Sequence, residues 1–247
     1  MPPLVHAAPA ATGITTLTLD SPANRNALSA QLVAELRAAL ADAAADPATR
    51  AVLLTHTGNT FCAGADLKSP CDPDDFLALL REVTALPKPV VARVTGHVRA
   101  GGLGLLGACD IAAAGPQSTY AFTETHLGLA PAVISMTVLP RLDPRAASRY
   151  LLTAEAFDAP EAARIGLLTL HAADDVDTAL APVLDGLRKA SPQALAETKA
   201  MVAAGVREAL DRDGARLTEL SARLFASAEA REGITARFER RDPSWVR

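Results

Sequence analysis

The stretch from Gly96 to Gly107, G-H-V-R-A-G-G-L-G-L-L-G, constrains this chain more than any other. Gly102 to Gly107 spells G-x-G-x-x-G, and Glu124 stands 20 residues after Gly104, where a dinucleotide fold would place a ribose-binding acid. That reading fails on length. The fingerprint must open a long crossover helix, yet the strand-like D-I-A-A-A begins at Asp110, three residues after Gly107. Only about two turns of helix fit between them. The glycines predict instead a short helix packed closely against backbone, with an exposed N-terminus near Ala100 and Gly101. Free N–H groups there, at the positive end of the helix dipole, would face a developing negative charge.

Helix and strand signals alternate around this segment. Ile14 to Asp20, I-T-T-L-T-L-D, partly alternates apolar and polar residues and reads as a strand. The residues up to about Ala11 are rich in Pro and Ala and read as a mobile lead-in. Ser29 suits the N-cap of a helix running to about Ala45, with Leu32, Val33, Leu36 and Leu40 on one face and Asp46-Pro47 as its stop. Ala51 to His56 reads as a buried strand. Phe76 to Leu86 reads as a helix, and Pro89 to Val94 and Asp110 to Ala114 as strands. The class is therefore α/β. From Ser191-Pro192 onward strand signals fade. Leu217, Leu220, Leu224 and Phe225 fall at helical spacing, and Glu229 to Arg240 continues as helix until Pro243. The expected division is a body, residues 1–190, and an α-helical region, residues 191–247, whose apolar stripes dock on the body or on another subunit.

Composition narrows the function classes. With 49% hydrophobic and 21% charged residues among 247, wholesale disorder is excluded. Aromatics are 4%, so the core must be built from Ala, Leu and Val. A net charge of −4 without a basic run argues against a nucleic-acid partner. No apolar run reaches the roughly 18 residues of a membrane helix, and the start lacks the positive segment of a signal peptide. Cys62, Cys71 and Cys109 are widely spaced and form no CxxC pair, so the expected compartment is a reducing cytoplasm. His6, His56, His97, His126 and His171 show no ligand spacing with acids or cysteines, so no metal is expected.

Two further segments could carry chemistry. In Phe61 to Lys68, F-C-A-G-A-D-L-K, Gly64 lets backbone approach a ligand and small neighbours leave the N–H groups of Gly64 and Ala65 unshielded. The same residues could form nothing more than a tight strand-to-helix turn, with Asp66 as cap. In Tyr120 to Pro131, Y-A-F-T-E-T-H-L-G-L-A-P, Glu124 sits among Phe122, Leu127 and Leu129. A carboxylate in apolar surroundings has its pKa raised and suits acid/base work. A charge at a helix N-terminus, or a surface Glu, is the alternative.

Taken in series, S-P-A-N-R-N-A-L-S, F-C-A-G-A-D-L-K, A-G-G-L-G-L-L-G-A-C-D-I-A, F-T-E-T-H-L-G-L-A-P and L-T-A-E-A-F-D-A-P-E-A-A-R-I-G-L resemble the enoyl-CoA hydratase/isomerase (crotonase) superfamily over nearly the whole chain. The resemblance implies a crotonase-like ββα spiral body with an α-helical C-terminal oligomerisation region, and a homotrimer or hexamer. It implies an acyl-CoA thioester substrate and no separate cofactor, coenzyme A being part of the substrate. Backbone donors matching Ala65 and Gly101 would hold the thioester carbonyl, each worth roughly 2.7–4 kcal/mol to the enolate-like transition state. Arg25 and Lys68 match positions that contact the phosphates or adenine end of coenzyme A. The Ala63 carbonyl matches one that bonds the adenine amino group. Phe238 and Arg241 match an aromatic-plus-basic pair that in some members reaches the coenzyme A of a neighbouring subunit.

This chain departs from the pattern at one position. Hydratases of the family carry two glutamates, one after the glycine run and one at the position of Glu124; here the first is Gly104. Three catalytic readings follow. The chain could be a hydratase with Glu124 acting alone or helped by His97, Arg99, Thr123 or His126. It could be a double-bond isomerase, which needs one carboxylate. Or it could act on a branched or dicarboxylic acyl-CoA, with Arg99 pairing the second acid. A non-catalytic acyl-CoA-binding subunit is the reading of another class.

Overall fold

The computed structural model describes residues 2–247. Strands β1 (Val5–Ala11) and β2 (Ile14–Leu19) form a hairpin through left-handed Thr12 and Gly13. The lead-in expected up to Ala11 is therefore ordered strand. Its side chains are mostly exposed, so no hydrophobic alternation marks it. It is pinned by Glu35, whose carboxylate accepts from the N–H groups of Leu4 and Val5.

From β2 the chain winds in repeating turns. Helix α1 (Ala30–Ala45) begins where the Ser29 hydroxyl accepts from Leu32 N, and ends at Asp46. Then come β3 (Ala51–His56), β4 (Thr60–Cys62) and α2 (Pro73–Ala85). The next turn is β5 (Val90–Val94), β6 (His97–Arg99) and α3 (Gly101–Ala108), followed by β7 (Ile111–Ala114) and β8 (Thr119–Ala121). The first strand of each turn joins one sheet, ordered β1-β2-β3-β5-β7-β10, where β10 is Leu170–His171. The second joins another, β4-β6-β8-β9, where β9 is Phe157–Asp158. This is the ββα spiral that the resemblance implied.

A parallel sheet must be covered on both faces. On one face Val52, Leu54 and Ala92 meet Leu32 and Leu36 of α1 and Leu79, Leu80 and Val83 of α2. On the other, Val91 and Ala113 lie under Val176 and Leu180 of α7 (Val176–Lys189). Helices α4 (Ala132–Val138), α5 (Pro144–Thr153) and α6 (Ala159–Arg164) complete the body.

The tail is α8 (Pro192–Val202), α9 (Ala204–Phe225) and α10 (Ala228–Glu239). It does not run on as one helix past Phe225. Ser227 caps a fresh start, accepting from Ala230 N, and left-handed Arg240 ends it. Val206, Leu210 and Leu217 of α9 join the main core. On α8, Lys199 is almost fully buried: its ammonium donates to the Val83 and Lys88 carbonyls and lies 2.8 Å from the Asp110 carboxylate.

Candidate active site

Where the strands of the smaller sheet end, their following turns surround a cavity of 1330 Å³. Its wall includes Ala65, Gly101 and Glu124, and also Arg25, Ala63, Lys68, His97 and Arg99. Phe238 and Arg241, on and after α10, close one side of the same chain's cavity.

The turn after β4 and the start of α3 meet almost backbone to backbone. Gly64 has φ +92°, and a Cβ there would fall 2.8 Å from the Ala100 Cβ. A Cβ on Gly101 would fall 3.7 Å from the Ala65 nitrogen and 2.8 Å from the Leu28 side chain. Leu28 fixes the peptides around Ala65: its N–H donates to the Gly64 carbonyl, and its carbonyl accepts from Asp66 N. The Ala65 N–H is thereby turned away and finds no acceptor among the described residues. Gly101 opens α3, so its N–H has no intrahelical acceptor either. Two free donors thus line one wall. Between them Ala100 adopts φ 46°, ψ −119°, a conformation suited to glycine that costs about 1–3 kcal/mol for other residues.

Glu124 begins a short 3₁₀ turn, Glu124–Leu127, after β8. It is 8% exposed, and its Oε2 has no hydrogen-bond partner. Burial pushes its pKa up to about 7. A carboxyl so placed can both take and return a proton near neutrality. The turn itself is clamped from behind by α10: a Cβ on Gly233 would fall 2.5–2.8 Å from the Leu127 backbone, and one on Gly128 equally close to that of Glu229.

Gly104 is a correction to the expected pocket wall. It faces α4, not the cavity: a Cβ would lie 2.6 Å from the Ile134 Cγ2 and 2.9 Å from its Cβ. The space that a second glutamate would need is filled by Ile134.

His97 and Arg99 share a face of β6 with Thr119 of β8. The Arg99 Nη1 donates to the Thr119 carbonyl at 2.6 Å and Nη2 to its hydroxyl at 2.7 Å. That hydroxyl lies 2.9 Å from His97 Nδ1. Burial and the nearby Arg99 and Arg25 lower the His97 pKa, so the ring is neutral at neutral pH. The organising role of Thr119 was missed from sequence. The period-2 alternation that places it beside Arg99 needs the strand register, Arg99 opposite Ala121, which sequence does not supply.

The remaining residues differ in availability. Lys68 and Arg25 are exposed and form no ion pair among the described residues. Asp66 caps its turn by accepting from the N–H groups of Lys68 and Ser69. Arg25 rides on a loop held by buried Asn26, whose side chain donates to the Thr57 and Thr60 carbonyls and accepts from Ser21 N. Asn26 was not singled out from sequence, though Asn suits its left-handed φ of 52°. Arg241 is committed elsewhere: it grips Glu232 with both Nη atoms and Glu239 with Nε. His126 is exposed at the cavity rim.

Comparison with known proteins agrees with this geometry. Residues 10–247 match the family model described as enoyl-CoA hydratase/isomerase. The crystal structure of an enoyl-CoA hydratase from Mycobacterium avium superposes with a TM-score of 0.93 at 52% identity, covering 100% of both chains. AtuE of Pseudomonas aeruginosa superposes with a TM-score of 0.77 at 35% identity, covering 99% of this chain and 100% of its own. A mevalonyl-coenzyme A hydratase of Aspergillus fumigatus is 30% identical over 249 residues, 94% of this chain and 91% of the relative.

Proposed function

This chain belongs to the enoyl-CoA hydratase/isomerase family, and on that premise we propose that it adds water to the double bond of a 2-enoyl-CoA with Glu124 as its sole acid/base. One observation carries the reading: a buried carboxyl with a free oxygen and a pKa of about 7 shares a cavity with two unpartnered backbone N–H groups. The thioester oxygen binds between Ala65 N–H and Gly101 N–H. The Glu124 carboxylate takes a proton from water as the water oxygen bonds to the β-carbon. The π electrons move toward the thioester oxygen, where the two donors hold the enolate. Glu124 then returns the proton to the α-carbon, and the enolate collapses to the saturated thioester. No net proton is gained or lost by the protein.

Coenzyme A lies along the wall formed by Arg25, Ala63, Lys68 and Phe238 in this reading. Arg241 contributes less charge than its position implies, because two carboxylates already neutralise it. We further infer a homotrimer or hexamer in a reducing cytoplasm. Exposed Leu139, Leu152, Met201 and Val202 offer apolar contact surface, and the three cysteines are unpaired.

One observation favours a second reading. With Ile134 in the place of a second carboxylate, the site retains what a double-bond isomerase needs: one base and an oxyanion pocket. Turnover of 2-enoyl-CoA and 3-enoyl-CoA thioesters in ¹⁸O-labelled water, followed by mass spectrometry, separates the two. Incorporation of one labelled water is expected. Double-bond migration without label would replace hydration by isomerisation.

A further inference from the structure

The Arg99 guanidinium is half-buried in the cavity wall, yet no carboxylate of the described residues lies within ion-pair distance. Burial lowers its pKa, and no neighbouring anion offsets this. Of the other half-buried arginines of the body, Arg37 and Arg93 pair with Glu82 and Asp177, and Arg50 and Arg141, which lie outside the cavity wall, donate to the Ala190 and Gly107 carbonyls. An arginine kept charged in a concave wall without a counter-ion is poised for a ligand's anion.

Its orientation is fixed. Nη1 and Nη2 both dock on Thr119, one on the carbonyl and one on the hydroxyl, and Nη1 also donates to the Val98 carbonyl. The end of the guanidinium is thus occupied and its Nε side is left without an acceptor. The Thr119 hydroxyl, accepting from Arg99 Nη2, also lies 2.9 Å from His97 Nδ1, so one hydroxyl ties both side chains together. The Arg99 fork and the His97 imidazole therefore stand on the same stretch of wall, with Arg25 close enough to affect the same ring.

We propose that Arg99, through its free Nε–Nη2 edge and held by Thr119, anchors an anionic group of the substrate. The group is an oxyanion of two alternative sources: a carboxylate at the far end of the acyl chain, or a phosphate of coenzyme A. The proposal rests on the acyl-CoA reading of the cavity but not on the reaction performed there. It makes Arg99 a specificity-determining residue and Thr119 its positioning residue.

The test is binding, without turnover. Dissociation constants of butyryl-CoA, glutaryl-CoA and butyryl-pantetheine are measured by ligand-observed NMR for the unaltered protein, Arg99→Met and Arg99→Lys. An acyl-end anchor makes glutaryl-CoA bind more tightly than butyryl-CoA, and Arg99→Met erases roughly tenfold to a hundredfold of that preference. A phosphate anchor leaves that ratio alone and erases the same factor from the preference for butyryl-CoA over butyryl-pantetheine. Arg99→Lys, which keeps the charge without the fork, recovers part of the lost ratio. If Arg99→Met shifts all three constants by one common factor, or none of them, Arg99 only braces β6 on β8 and the proposal is overturned. Failure of every thioester to bind the unaltered protein overturns the acyl-CoA reading itself, and the anchor with it.

Discussion

Glu124 gives the clearest single-residue consequence. Its ordinary pKa of 4.5 rises to about 7 on folding, so between those values the folded state holds more protons than the unfolded one. Stability then falls as pH rises through that window. The charged form costs about 3 kcal/mol above pH 7, at about 1.4 kcal/mol per unit. Glu124→Gln should therefore melt higher than the unaltered protein at pH 8 and gain much less at pH 5, by calorimetry at both pH values. Turnover should drop about a hundredfold or more while acyl-CoA affinity stays nearly constant. An equally active variant would remove Glu124 from the mechanism. For the unaltered enzyme, kcat/KM should fall below about pH 7 as the base is protonated. Gly104 gives the converse case. Gly104→Glu drives a carboxylate into Ile134, and should cost about 3 kcal/mol or more without raising the hydration rate, as read from urea melts and initial rates. Glu124 was legible in the sequence because apolar neighbours flanked it. The Gly104–Ile134 contact was not, because it joins residues 30 apart whose facing depends on how α3 and α4 pack.

Among the elements, the long apolar and capped segments were the readable ones. Ser29, Asp46-Pro47 and the buried face of α1 fixed that helix locally, and β3, β5 and β7 announced themselves as apolar runs. The strands of the smaller sheet are two or three residues long, too short for a period to show. β1 was hidden by the opposite problem: it is ordered by pairing and by Glu35, not by burial of its own side chains. Helix α8 illustrates a tie that no local pattern reveals. Its Lys199 reaches through to Asp110, which also accepts from Val90 N at the start of β5. Lys199→Met leaves that carboxylate buried and unpaired, and should lower stability by about 3–5 kcal/mol. Chemical denaturation should show it, and Asp110→Asn in the same background should restore part of the loss. A loss below about 1 kcal/mol would mean the pair is dispensable.

At the scale of the whole molecule, the tail is part of the site. Gly233, Ala236 and Phe238 of α10 line the cavity, and Gly233 backs onto the turn that carries Glu124. Since burial alone raises the Glu124 pKa, removing its cover should undo the shift. A chain ending at Ala226 should keep the helix content of the body by circular dichroism, because α9 is anchored in the main core. Its pH–rate profile should lose activity only at a lower pH than the full chain, toward the ordinary carboxylate range. An unmoved acid limb would show that the body dries the carboxyl without help from α10.

The fit of Gly104 against Ile134 also has a bearing on engineering. Each residue makes the other hard to change: a carboxylate at 104 is excluded while Ile134 stands, and shrinking Ile134 alone opens a void in the helix contact. A stepwise route from this chain to a two-glutamate site crosses a less stable intermediate whichever position changes first, and changing both at once avoids it. A library meant to install a second carboxylate should therefore vary the two positions together.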